Sequence, residues 1–96
     1  MNKLKSENTD AIFEAILSLK NLEECYAFFE DVCTIKELQA IVQRFVVARM
    51  LTDKKVYSEI VAATGASTAT ISRVNRSLEY GSGGYPLIFK RIRDKK

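Results

Sequence analysis

Between residues 67 and 79, three side chains able to hydrogen-bond recur every four residues: Thr68, Ser72 and Arg76, with Ala69 beside the first. At 100° per residue they fall on one side of a helix, and Ile71, Val74 and Leu78 fall on the other. The polar side is small apart from its guanidinium. Small hydroxyls bond phosphate oxygens or base edges, and Ala69 or the Thr68 methyl can touch a thymine methyl. Arg76 has the reach for a guanine edge or a phosphate. The chemistry on offer is recognition, by a helix slim enough to settle into a groove.

Residues around that stretch extend the same chemistry. Ser67 is placed to cap the helix, leaving free amides and the positive end of the dipole for an anion. Thr70 and Arg73 complete the candidate contact set. Lys54, Lys55, Tyr57 and Ser58 lie on the preceding helix and its approach, where contacts to a phosphate backbone are expected. Catalysis finds no comparable constellation. The chain has no histidine, which removes histidine-based general-base and metal chemistry. Cys25 and Cys33 without histidine make no zinc set, and no metal or organic cofactor is expected. Gly81-Ser82-Gly83-Gly84 follows no strand, so it reads as a helix breaker or hinge rather than a phosphate-cradling loop.

The elements that must position these residues are helical, with no strand-like alternation and no internal repeat. Residues 1–8 read as a polar arm, and residues 9–96 as one domain. Ile12, Ala15, Ile16 and Leu19 repeat at helical spacing, with Asn8, Thr9 or Asp10 as cap. Asn21 with Glu24 opens a second helix, whose apolar stripe is Leu22, Cys25, Tyr26, Phe29, Val32 and Cys33. Thr34-Ile35-Lys36-Glu37 is a capping box that opens a third helix running to about Leu51. A fourth covers Val56 to Ala63. Thr64-Gly65-Ala66 makes a tight turn, where glycine takes a positive φ readily. A fifth runs from Thr68 to about Tyr80. Helix, three- or four-residue turn and second helix give helix-turn-helix spacing over residues 56–79. Pro86 is placed as the first residue of a last helix, which carries Leu87, Ile88 and Ile92 on one side. Lys90, Arg91, Arg93, Lys95 and Lys96 suit its C-terminal end.

From Ala40 to Leu51 only Gln43, Arg44 and Arg49 are polar. A helix apolar nearly all round needs cover on every side, and a 96-residue chain offers few neighbours to supply it. The third helix is therefore expected at the centre of a homodimer, whose core is formed by residues 9–51 and 84–93. Charge divides the chain in two. Residues 1–48 hold five Lys/Arg against eight Asp/Glu, a net of −3; residues 49–96 hold ten against four, a net of +6. The basic half is the one that carries the motif, which points to a polyanionic partner, double-stranded DNA. No signal-peptide pattern follows Met1 and no apolar run reaches membrane-spanning length, so a cytoplasmic protein with reduced, mostly buried cysteines is expected.

Gly65-Ala66-Ser67-Thr68-Ala69-Thr70-Ile71-Ser72-Arg73, continuing through Ser77-Leu78, resembles the reading-helix signature of the Trp repressor superfamily. Thr34-Ile35-Lys36-Glu37-Leu38-Gln39-Ala40 and the long helix after it resemble that family's central helix. The likeness spans roughly residues 10–93. It implies an all-α chain of about six helices, an intertwined dimer, and a helix-turn-helix formed by helices four and five. It also implies two heads in successive major grooves of an operator, for which the Trp repressor is itself a standard example. In that family tryptophan sits between the central and reading helices. The resemblance aligns its pocket arginines with Arg44 and Arg73, its pocket serine with Ser77, and a threonine from the partner chain with Thr34.

Val74 departs from that pattern, since the tryptophan binders carry glycine there. A valine side chain in the slot, or packed in its place, overfills a site at a cost of ~1–3 kcal/mol. Tryptophan is therefore not expected as corepressor, while a different small molecule is left open. So are a phosphate bond for Arg73, a carboxylate partner for Arg44, and a helix-turn-helix that docks another protein. The outer face of residues 67–79 favours DNA over that last reading, because it is polar.

Overall fold

A computed structural model describes residues 3–95, so Met1, Asn2 and Lys96 lie outside the described residues. Among these residues the chain forms six α-helices and no strand: α1 Glu7–Leu17, α2 Leu22–Val32, α3 Ile35–Thr52, α4 Tyr57–Thr64, α5 Thr68–Tyr80 and α6 Gly84–Asp94. The chain divides into two compact units, one up to Leu38 and the other from Gln39 onward.

In the first unit, hydroxyl and amide caps decide where helices begin. Ser6 caps α1, its Oγ accepting from the Thr9 N–H at 3.0 Å, with Lys5 paired to Asp10 at 2.6 Å. The helix therefore starts at Glu7, inside the expected arm and ahead of Asn8, Thr9 and Asp10. Asn21 caps α2, accepting from the Glu24 N–H at 2.9 Å. The Glu24 carboxylate reaches back one residue further than a capping box requires, to the Lys20 N–H. Thr34 and Glu37 form the full box: the Glu37 N–H donates to Thr34 Oγ1 at 3.1 Å, and the Thr34 N–H donates to Glu37 Oε1 at 2.8 Å. Cys25 and Cys33 are free thiols and half-buried, more accessible than the sequence suggested. Neither α1 nor α2 buries a single residue within the chain.

The second unit holds the core. Val47 and Ala48 of α3, Ile60 of α4, Ala66 of the turn, and Ile71 and Val74 of α5 are all buried, with Met50, Leu51, Leu78, Tyr85 and Phe89 packed around them. The Phe89 ring lies 5.4 Å from Phe45 and 5.9 Å from Tyr85, between centroids, which anchors α6 to α3. Helix α3 ends in a left-handed residue, Lys54 at φ 66°. The Lys55 N–H returns to the Met50 carbonyl and the Lys54 N–H to the Leu51 carbonyl, each at 3.0 Å, which is the Schellman pattern.

Two helix starts differ from expectation. Helix α4 begins at Tyr57 because Val56 stands at the cap position, its N–H held by the Glu59 carboxylate at 3.2 Å. Helix α6 begins at Gly84 because Gly83, at φ 84°, turns the chain into the helix. Pro86 is then the third helical residue rather than the first. Proline is tolerated there because the N–H groups of a first turn have no intrahelical partner.

Gly81 ends α5 for a steric reason. A Cβ at this position would run into the Ser77 carbonyl oxygen, which already accepts the Gly81 N–H at 3.0 Å. Gly81→Ala should lower stability by about 1–3 kcal/mol, read as a fall in denaturation midpoint at fixed protein concentration.

Glu37 gives a second expected outcome. Its hydrogen bonds from the Thr34 backbone, and then from the Thr34 side chain, hold its carboxyl below the ordinary value of 4.5. A carboxyl lowered on folding contributes stability above its unfolded pKa and loses it as pH falls through the folded one. Thermal melts of the parent and Glu37→Gln should therefore differ at neutral pH, with the parent more stable. They should converge once the solution is acid enough to protonate Glu37.

Candidate nucleic-acid interface

What α5 buries determines what it presents. Ile71 is wholly buried and Val74 is 3% exposed, so the face centred on them is fixed against α3 and α4. Leu78 extends that face, as the periodicity predicts. Thr68, Ala69, Ser72, Arg73, Arg76 and Ser77 are all exposed. A helix of 13 residues is about 20 Å long, enough to lie along a groove.

The start of α5 is held by its own cap. Ser67 Oγ accepts from the Thr70 N–H at 3.1 Å and donates to Thr70 Oγ1 at 3.1 Å. Both hydroxyls are thus engaged with each other, and Thr70 is half-buried. Their contribution is to fix the helix start, leaving its first amides and positive dipole end outward. The turn before it is tight, with Gly65 at φ 71°.

Ser72, Arg73, Arg76 and Ser77 line one open cleft of about 390 Å³ on this helix. Two guanidiniums and two hydroxyls line it, and guanidinium forks bond phosphate or carboxylate oxygens in pairs. No carboxylate lines it; the acid of α5, Glu79, accepts instead from Asn75 Nδ2 at 3.3 Å. Next along the chain from α3, Lys54 holds its left-handed turn with Lys55 beside it, and both are exposed. Tyr57, 38% exposed, and Ser58 open α4. The start of α4 carries the Glu59 carboxylate on the Val56 N–H, so the positive charge ahead of the turn is that of the two lysines.

Of the residues aligned with a ligand pocket, Arg44, Arg73, Val74 and Ser77 lie in the second unit. Arg73 and Ser77 line the cleft. Val74 is buried in the core. Arg44 is exposed on α3 and is not part of the cleft lining. Thr34 belongs to the first unit, where its hydroxyl caps α3. Among the described residues, no three His, Cys, Asp or Glu side chains are grouped to hold a metal ion.

One residue that the sequence reading passed over is Gln43. Its side-chain Nε2 donates to the Thr64 carbonyl at 3.1 Å, linking α3 to the end of α4. In sequence it stood only as one of three polar residues in an apolar helix, and no spacing rule pairs it with a residue 21 positions away.

The chain's relatives agree with this architecture. The family profile described as Trp repressor protein matches residues 7–93. The uncharacterized protein YerC of Bacillus subtilis strain 168 is 51% identical over 94 residues, covering 98% of this chain and 90% of that protein. A crystal structure of a TrpR-like protein from Eubacterium eligens ATCC 27750 superposes with a TM-score of 0.92 at 58% identity, covering 96% of this chain and 95% of that one. A candidate Trp repressor from Staphylococcus aureus superposes with a TM-score of 0.91 at 48% identity, covering 95% and 91%. With its central helix, its α4–turn–α5 unit and its terminal helix all accounted for, the chain belongs to the Trp repressor family.

Proposed function

We propose that this chain is a sequence-specific DNA-binding transcriptional regulator, a repressor that occupies a near-palindromic operator as a homodimer without tryptophan. The observation that carries this reading is the outer face of α5. Small side chains at Thr68, Ala69 and Ser72 let the helix approach base edges, and Arg73 and Arg76 supply charge at the groove. Lys54, Lys55, Tyr57 and Ser58 take the backbone on the approach side. The regulator works by excluding other proteins from the DNA it covers, and requires no reaction of its own. Residues 9–51 and 84–93 supply the dimer core and residues 56–79 the reading head.

Uncovered apolar side chains support the dimer. The uncovered side chains are apolar: Phe13 is 52% exposed, Leu17 83%, Leu22 77%, Val42 52% and Ile92 47%. No helix among the described residues is long and apolar enough to cross a membrane. We place the protein in the cytoplasm, with DNA.

Val74 supports independence from tryptophan. Its side chain fills core space between α5 and its neighbours, so a flat ring entering there would have to displace it. The cleft at Arg73 and Ser77 favours a second reading, in which an anionic small molecule gates binding. Calorimetric titration with L-tryptophan should give no binding heat at micromolar concentrations; saturable micromolar binding would contradict the role given to Val74.

Arg76→Ala should weaken binding to the protein's preferred duplex. If Arg76 reads a base, discrimination at one base pair falls by ~1–3 kcal/mol. If it bonds a phosphate, affinity falls equally on every duplex and the slope of log K against log salt shrinks by about 0.9. Unchanged affinity on all duplexes would remove α5 from the interface and with it this reading.

A further inference from the structure

Gln43 is half-buried near the middle of α3, and its bond to Thr64 differs in kind from the other polar contacts of the chain. Every other described side-chain hydrogen bond connects residues five or fewer apart. Thr64 is the last residue of α4, so its carbonyl is among those a helix leaves without an internal partner. The same residue organises the turn: its hydroxyl donates to the Ile60 carbonyl at 2.7 Å and accepts from the Ala66 N–H at 3.1 Å. The cap of α5, Ser67, follows directly.

The apolar core sets how deep α4 and α5 sit, but burial has no direction and two of its six members are alanines. A hydrogen bond does have direction, and recognition requires placement to within about half an ångström. Gln43 is the polar link that joins α3 to the turn.

We propose that Gln43 is a positioning residue of the reading head. By holding the Thr64 carbonyl it fixes the turn, and through it the angle at which α5 leaves the core. Its effect falls on discrimination between duplexes rather than on affinity for any duplex. This inference rests on the DNA-binding reading above.

The test uses Gln43→Met, which keeps length and removes the donor. Two probes are needed: the duplex most enriched by the parent protein, and a scrambled duplex of the same composition. The variant's ratio of affinities should fall about tenfold, the size of one net hydrogen bond. Affinity for the scrambled duplex and its salt slope should hold. In the free protein, amide exchange at Gly65 and Ala66 should quicken while that at Ile71 does not. Faster exchange with an unchanged ratio would reduce Gln43 to a structural role, and equal losses on both duplexes would mark general destabilisation; either overturns the inference. Should the methionine variant not fold, Gln43→Ala, which also lacks the donor and adds no charge, carries the same readouts. A parent protein that cannot tell the two duplexes apart defeats the DNA-binding reading first, a failure visible before any variant is made.

Discussion

The outer face of α5 depends on one small core. Val47 and Ala48 of α3 meet Ile60, Ala66, Ile71 and Val74, and everything that α5 shows to solvent follows from what those contacts hide. A helix has one rotation that buries Ile71 and Val74 together, and that rotation turns Thr68, Ser72 and Arg76 outward. Because interiors are close-packed, the arrangement has little room to vary. The Gly65 turn and the Ser67 cap then set where the helix starts, and Gly81 sets where it ends.

The same economy leaves the rest of the chain short of partners. Among the described residues six are buried, and α1 and α2 bury none. Their apolar stripes are too regular to be solvent faces and too exposed to be a finished core. In the proposed homodimer a second copy of the chain supplies what is missing, and in doing so fixes the separation of two α5 helices. On this account dimerisation and recognition are one property, because the spacing of two heads means nothing without the seam that sets it.

Much of this was legible in the sequence, for physical reasons. The 3.6-residue period of α5 separated Ile71, Val74 and Leu78 from Thr68, Ser72 and Arg76 without any structure. Capping chemistry placed the starts of α2, α3 and α5 to the residue. Two starts fall elsewhere: Ser6 caps α1 ahead of Asn8, Thr9 and Asp10, and Gly83 starts α6 two residues before Pro86. At α1 several competent caps follow one another, and local rules do not rank them. The candidate pocket rests on resemblance alone: its Thr34 would come from a partner chain, and which residues gather around a ligand depends on packing with distant segments that local periodicity does not report. Gln43 was invisible for the same reason, its partner lying on another helix.

The most direct test is selection of binding sites from random duplex DNA by the purified protein at a fixed salt concentration, without added ligand. The account predicts enrichment of a near-palindrome whose half-site centres lie about 34–36 Å apart, or a multiple of that, matching two heads on one face of the duplex. Enrichment of no sequence, from protein shown to be folded and dimeric, would contradict it.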